Sequence, residues 1–363
     1  MAWLTGWDKR IKITVDSGVV DSDLTHFPVC VRLGISVGKT SADVSAVFDE
    51  VGANSKKIAI TKTDGETEIY CEIEQWDSGN ELAVLWVSKS DLVITSAGDY
   101  DLYLYYDNDH ADNDTYIADV GSRTEVWNAN YKAVYHLNDD DTDTTVIDSV
   151  GNYNGTKKAN AEPTQADAKI GKGQNFDGTD DYINVSSALS IANLTAYTIE
   201  AFTKIPQENS RYIYGEGSNK SNTPMLFLVT TGNSTWKIWH THRDDDGTEL
   251  DGAGSVTVAD NTWHYVSMVR NGDDWLGYVD ETASYSKTVA NVGVTTMNEI
   301  YIGAMKRNTF LGYGKGIIDE LRISTTNRSA SWLKASYNSG NDSLLTYGEE
   351  EAPSTKRRII IIN

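Results

Sequence analysis

Three groups of side chains combine residue types and spacings that have chemical consequences. The run Trp236-Lys237-Ile238-Trp239-His240-Thr241-His242-Arg243 alternates aromatic, imidazole and hydroxyl groups. In a strand, successive side chains point to opposite faces, so Trp236, Ile238 and His240 share one face and Trp239 and Thr241 the other. Sugars stack their apolar faces on Trp and Tyr rings while polar groups fix the hydroxyls. Trp236, Trp239 and His240, with Tyr212, Tyr214 and Tyr313 as neighbours, are therefore candidate glycan-binding residues; the competing reading is cross-strand aromatic packing. Second, Asp148, Asn152 and Asn154 put three oxygen-bearing side chains in one short loop, the donor type that hard cations take. Asp139-Asp140-Asp141-Thr142-Asp143 and Asp244-Asp245-Asp246-Gly247 are looser versions that read equally as solvated loops. Third, Glu72 and Glu74, one residue apart, would share a strand face. A retaining glycosidase sets two carboxyls about 5–5.5 Å apart, but the pair also reads as the polar side of an amphipathic strand. No nucleophile elbow, phosphate loop, zinc-binding helix motif or Ser-His-Asp order is present. The expectation is a protein that binds and is not an enzyme.

The charge balance narrows the partners. Of 363 residues, 53 are Asp or Glu and 31 are Lys or Arg, a net charge of −22. Such a field repels phosphate backbones and anionic lipid, which excludes nucleic acid as a partner and favours cations. No apolar run approaches the ~20 residues that span a bilayer, so no membrane insertion is expected. The N-terminal MAWLTGWDKRIKITV lacks the apolar segment of a secretory leader. Cys30 and Cys71 both sit in strand-like runs and read as buried free thiols, with a disulfide as the alternative.

The positioning elements are strands. With 20 Tyr, 10 Trp, 29 Gly and 5 Pro, the composition suits short strands joined by tight turns. Alternation predicts strands at Arg10–Val15, Val29–Leu33, Lys57–Thr61, Glu68–Glu74, Leu82–Val87 and Tyr100–Tyr105, with Asp64-Gly65 as a hairpin turn. After a polar stretch, Asp107 to Arg123, a second series begins at Tyr131–Leu137. It continues through Tyr182–Val185, Tyr197–Lys204, Tyr212–Tyr214, Met225–Val229, Trp236–His240, Trp263–Arg270, Trp275–Val279, Glu299–Ile302 and Ile317–Ser324. One helix is expected from Ser329, its N-cap, to Tyr337. The pattern is that of an all-β chain with two tandem β-sandwich domains.

Several motifs in the second series resemble those of LamG-like, concanavalin A-type jelly rolls. Asp148 to Thr156 is similar to the loop DSxGNxNGT, Phe176 to Ile183 to FDGxxDYI, and Tyr197 to Phe202 to xTIEAW with Phe202 in place of Trp. Asn261 to Val266 resembles xxWHYV, and Tyr278-Val279-Asp280 resembles xYVDG with Glu281 in place of Gly. Gly316 to Ile323 is similar to GxIDEVRI, and Arg328, Ser329 and Trp332 to the RSxxW helix. This resemblance implies a jelly roll and one calcium ion near the Asp148 loop, with Asp319 of the closing strand joining Asp148, Asn152 and Asn154 as ligands. The first series, carried by Trp7 with Arg10–Ile13, Phe27–Val29, Ile69–Asp77 and Leu102–Asn108, resembles an uncharacterised β-rich domain that often precedes such jelly rolls. It implies no activity.

The expected plan is a first sandwich at 1–127, the jelly roll at 128–348 and a tail at 349–363. In the tail, Ile359, Ile360, Ile361 and Ile362 have the β-propensity of a docking strand for this chain or another. The expected function is adhesion to a glycan or host-surface receptor. The expected setting is the surface or tail of a phage or archaeal virion, and the alternative is an extracellular or cell-surface protein. A glycan-degrading enzyme, or the carbohydrate-binding accessory module of one, is the alternative function.

Overall fold

The computed structural model describes residues 2–208, 210–218, 224–231 and 235–353. The Ile359–Ile362 docking strand lies outside them. The chain forms two compact units, 1–119 with 342–363, and 120–341. The boundary therefore differs from the sequence division. Ile117–Asp119, inside the polar stretch, pairs in parallel with Glu68–Asp77. Leu345–Glu351 pairs with Lys9–Val15 rather than closing the jelly roll. The Glu349–Glu351 charge run belongs to this strand: Arg10 donates to Glu351 at 2.7 Å, and the Tyr106 hydroxyl donates to Glu350 at 2.6 Å.

The first unit is built on one eight-stranded sheet, seven strands along one path and the eighth beside it. Its order is Leu345–Glu351, Lys9–Val15, Tyr100–Tyr106, Ile58–Thr61, Glu68–Asp77, Leu82–Ser88 and Val29–Leu33, with Ile117–Asp119 beside Glu68–Asp77. Glu68–Asp77 pairs with Ile58–Thr61 only at its start and with Leu82–Ser88 from Tyr70 onward. The Asp64-Gly65 turn forms as expected, with the Lys62 amide donating to the Thr67 carbonyl at 2.9 Å and Gly65 at φ 77°. Cys30 and Cys71 are buried free thiols. The strand Leu82–Ser88 separates theirs, and two strand spacings of about 4.8 Å exceed disulfide reach.

The second unit holds two eight-stranded antiparallel sheets. The first runs Thr164–Asp167, Lys172–Asp177, Lys315–Ser324, Ala196–Lys204, Trp263–Asn271, Asp274–Val279 and Thr282–Thr288, with Tyr131–Tyr135 also on Lys315–Ser324. The second runs Thr145–Val146, Gly155–Lys157, Ile183–Val185, Glu299–Ile302, Tyr212–Gly217, Met225–Thr230, Lys237–Arg243 and Glu249–Thr257. One core joins them: Tyr197, Ile199, Ala201, Val266 and Met268 of the first sheet pack with Ile213, Leu226, Leu228, Ile238 and Ile300 of the second. Burying alternate apolar side chains of facing sheets removes roughly 2 kcal/mol worth of exposed surface per large residue, so this alternation fixes which face is inner.

The outer face of the first sheet is partly covered by the helix Ala330–Gly340. Ser329 caps it, accepting the Trp332 amide at 3.2 Å. Gly340 ends it with no side chain because a Cβ there would sit 2.1 Å from the Phe202 ring. Beneath lies a buried polar group. Glu320 accepts from Arg322 at 2.5 Å and contacts His136 Nδ1 at 2.5 Å, while Glu200 accepts the Tyr265 hydroxyl at 2.6 Å. Glu320 takes a left-handed φ of 52° where the register slips between Glu200 and Phe202. An extra residue at such a bulge re-aims the neighbouring side chains, and Glu320 and Arg322, two apart on one strand, meet beside it. Among the described residues no helix is long and apolar enough to cross a membrane.

Candidate functional site

The alternation of Lys237–Arg243 divides the second sheet's inner and outer surfaces. Ile238, His240 and His242 point inward. His240 stacks on Tyr285 with centroids 4.8 Å apart and contacts the Ser267 carbonyl at 3.3 Å. His242 contacts the Tyr197 hydroxyl at 2.9 Å and Thr295 at 3.2 Å. Burial pushes His240 down to about 4. Burial, with the Arg270 charge, pushes His242 down to about 3. Both rings are neutral packing groups. Trp236 lies before the strand at φ 52° and packs on the inner core, its carbonyl accepting from Val258 and Ala259. The left-handed turn at Trp236 and the inward face of His240 thus separate both from Trp239.

Trp239 faces outward. Its indole donates to Asp251, and the Thr241 hydroxyl donates to the same oxygen at 2.8 Å. The ring packs with Tyr212, Val229, Met305, Met225 and Phe227 in a cluster separate from the main core. Tyr212 meets Phe227 edge-on at 5.5 Å. Trp239, Phe227 and Met225 remain partly exposed. Tyr214 does not join them: the register slips between Tyr212 and Tyr214, so Ile213 and Tyr214 both turn inward, and Tyr214 donates to Glu216 at 2.9 Å. Tyr313 belongs to a two-stranded ribbon, Ala304–Lys306 with Phe310–Tyr313, whose Gly312 packs on Tyr212. There Tyr313 meets Phe310 at 4.9 Å, and Phe310 stacks on Tyr182 at 5.1 Å. The structure therefore brings Trp239 and Tyr212 together and places Tyr313 on the adjoining ribbon. Sequence reading missed Met225, Phe227 and Asp251. The alternation of Met225 to Val229 held the signal for the first two. Asp251 sits in Glu249–Thr257, where two glycines conceal the strand.

The Asp148 loop is built differently from the expectation. Asp148 Oδ1 accepts the amides of Val134 at 2.9 Å and Val150 at 3.0 Å. Oδ2 accepts those of Asn152 at 3.1 Å and Tyr153 at 3.0 Å. The Asn154 carbonyl oxygen accepts the Asp148 amide at 2.9 Å. Asp319 Oδ2 accepts the Ile170 amide at 2.8 Å, so it serves a different segment. A calcium ion takes six to eight oxygens with free lone pairs, whereas these carboxylates are turned onto backbone donors. Of the expected ligand set Asp148, Asn152, Asn154 and Asp319, the Asp148 carboxylate acts here as a loop staple with both oxygens taken by backbone amides, and Asp319 holds the Ile170 segment. Removing a buried acceptor strands its donors at roughly 1–3 kcal/mol each. Only the Val134 amide of the four is fully buried and cut off from water, so Asp148→Ala is expected to lower stability by about 3 kcal/mol. Chelation with EDTA is expected to leave the wild-type melting temperature unchanged; thermal unfolding by circular dichroism measures both.

Glu72 and Glu74 offer no carboxylate pair. Both are buried, and the register slips between Ile73 and Gln75, which breaks the alternation that would align them. Glu74 accepts the Trp86 indole at 2.7 Å. Glu162, Asp180 and Asp181 do converge, with oxygens within 4.8 Å. Lys158 already pairs with Glu162 and Asp180 there. His264 is clasped between Asp280 at 2.9 Å and Asp260 at 3.4 Å. Its hydrogen bond to Asp280 holds its pKa above the usual imidazole range.

Residues 177–334 match the model of the concanavalin A-like lectin/glucanases superfamily. No curated protein matches the chain in sequence. Domain 4 of AbnA, an extracellular arabinanase from Geobacillus stearothermophilus in complex with arabinotriose, is 21% identical, with 56% of this chain and 96% of that one covered and a TM-score of 0.43. The binding domain of Paraclostridial Mosquitocidal Protein 1 is 15% identical over 58% and 52%, with a TM-score of 0.46. The carbohydrate-binding module of a Ruminococcus gnavus sialidase, bound to sialyllactose, is 15% identical over 47% and 96%, with a TM-score of 0.38. The family match falls within the second unit and covers most of its two facing sheets, the closing strand and the start of the helix, so this part of the chain is similar to the concanavalin A-like superfamily.

Proposed function

We propose that the second unit is a non-catalytic carbohydrate-recognition module and that the outer face of its second sheet is the platform. One observation carries the reading: Trp239, Phe227 and Met225 stay partly exposed on the face turned away from the core, beside the Asp251 carboxylate that Trp239 and Thr241 share. An aromatic surface bordered by fixed polar groups suits the apolar face and hydroxyl rim of a pyranose. The two sheet carboxylates considered for hydrolysis are buried in the first unit, which supports binding without turnover.

The test is titration calorimetry of the whole chain against a panel of neutral oligosaccharides. Trp239→Ala is expected to weaken the best ligand at least about tenfold, ~1.4 kcal/mol, with the melting temperature changed little. Equal affinity of the variant, or release of reducing ends from any substrate, would count against the reading. As part of the same proposal, the module is displayed on a virion or a cell surface, where it attaches to a host glycan. Peptide mass spectrometry of purified particles from the source is expected to detect the chain.

A further inference from the structure

A second place in the jelly roll has the features of a ligand site and lies on the other sheet. A cleft of about 370 Å³ opens at the end of the first sheet, lined by Asn175, Phe176, Lys204, Asn261, Lys315 and Ile317, among others. This is within the size range of small-molecule sites. Strand register explains the grouping. Asn175 pairs with Ile317, Ile317 with Lys204, and Lys204 with Trp263, so one row crosses four strands. Directly opposed residues share a face, so these side chains stand together. Phe176, on the other face of its strand, anchors the wall in the core.

The charges around the cleft are unequally used. Asp177 turns its carboxylate onto the amides of Thr179 at 2.7 Å and Asp180 at 3.3 Å. Glu208 is held between Lys315 and Arg211. Among the described residues the Lys204 ammonium has no ion pair and no hydrogen bond, and the side-chain amides of Asn175 and Asn261 and the Trp263 indole likewise have no partner. In a chain of net charge −22, that leaves one uncommitted cation beside two uncommitted amides in the cleft lining, with the partly exposed Trp263 next to the cleft, opposite Lys204 in the strand register.

The geometry points to a second saccharide subsite, distinct from the Trp239 face, that takes a carboxylated sugar. The sugar carboxylate pairs with Lys204, a charge-assisted hydrogen bond about twice as strong as a neutral one. Asn175 and Asn261 take ring hydroxyls, and Trp263 supplies the apolar face.

The test is NMR titration of the whole chain with trigalacturonate and with its methyl ester, which has the same skeleton and no charge. The acid is expected to shift the Trp263 indole resonance saturably and to bind at least about tenfold more tightly than the ester. Added salt is expected to weaken the acid selectively. Lys204→Gln, a change at a half-exposed position, is expected to remove the difference between acid and ester. Trp239→Ala is expected to leave it intact, which separates this subsite from the platform. Equal affinity for acid and ester, an unchanged preference in Lys204→Gln, or no saturable binding of the acid each overturns the proposal.

Discussion

Arg322→Met is expected to cost about 3–5 kcal/mol of stability, because it leaves the Glu320 carboxylate buried without its guanidinium partner. Arg322 reaches Glu320 with two nitrogens, at 3.1 and 2.5 Å, and also lies over the Trp127 ring at 5.3 Å. Both members of the pair are almost fully buried. Replacing one partner forfeits the attraction and keeps the desolvation cost, whereas replacing both forfeits both. Arg322→Met combined with Glu320→Leu is therefore expected to recover much of the loss, and chemical denaturation of the three variants measures it. The pair also sets an acid limit. Burial pushes the Glu320 carboxyl up, but the charges of His136 and Arg322 outweigh it and hold the group below its ordinary range. A group depressed on folding stabilises the native state above its unfolded value, near 4.3, and that contribution is lost as pH falls through the folded value. Wild-type melting temperature is expected to fall below roughly pH 4. In Arg322→Met the decline is expected to begin at higher pH.

Gly303→Ala is expected to destabilise the jelly roll by about 3 kcal/mol through two additive costs. Gly303 has φ 73°, where a Cβ costs roughly 1–2 kcal/mol. That Cβ would also lie 2.1 Å from the Phe176 ring, a buried core group, and overpacking a core costs about 1–3 kcal/mol. Gly272 separates the two costs. Its φ is 65°, and nothing lies within 4 Å of the Cβ position. Gly272→Ala is expected to cost only about 1 kcal/mol. Thermal unfolding of the two variants side by side checks the division, and similar losses would show that the Phe176 contact contributes nothing.

The inner strands were legible because their alternation matched the burial they receive. Tyr197–Lys204 and Trp263–Arg270 were read within a residue of Ala196–Lys204 and Trp263–Asn271, and Glu299–Ile302 matched at both ends. Edge strands carry no such constraint. Thr282–Thr288 is largely exposed, and Glu249–Thr257 alternates weakly around its glycines. Leu345–Glu351 spent its carboxylates on Arg10, Lys9 and Tyr106, so it read as a solvated charge run. For the platform, spacing correctly separated Trp239 from Ile238 and His240. Which face was inner depended on Tyr285 and Tyr197, neighbours that only the folded sheets supply. The hydrogen bonding of the Asp148 loop was illegible for a related reason. Residue type gives the oxygens, but the direction of four amides decides whether their lone pairs are available.

The pairing of Leu345–Glu351 with Lys9–Val15 makes the jelly roll an insertion within the first unit, and this imposes an order on biogenesis. On a ribosome adding roughly 5–20 residues per second, the opening strand waits for the entire second unit to emerge before its edge partner exists. Until then its outer edge, a row of unpaired amides and carbonyls, is open to strangers. Nascent chains stalled after residue 341 should accordingly be the ones that chaperones hold and that associate with one another, while release of the final strand closes the seam.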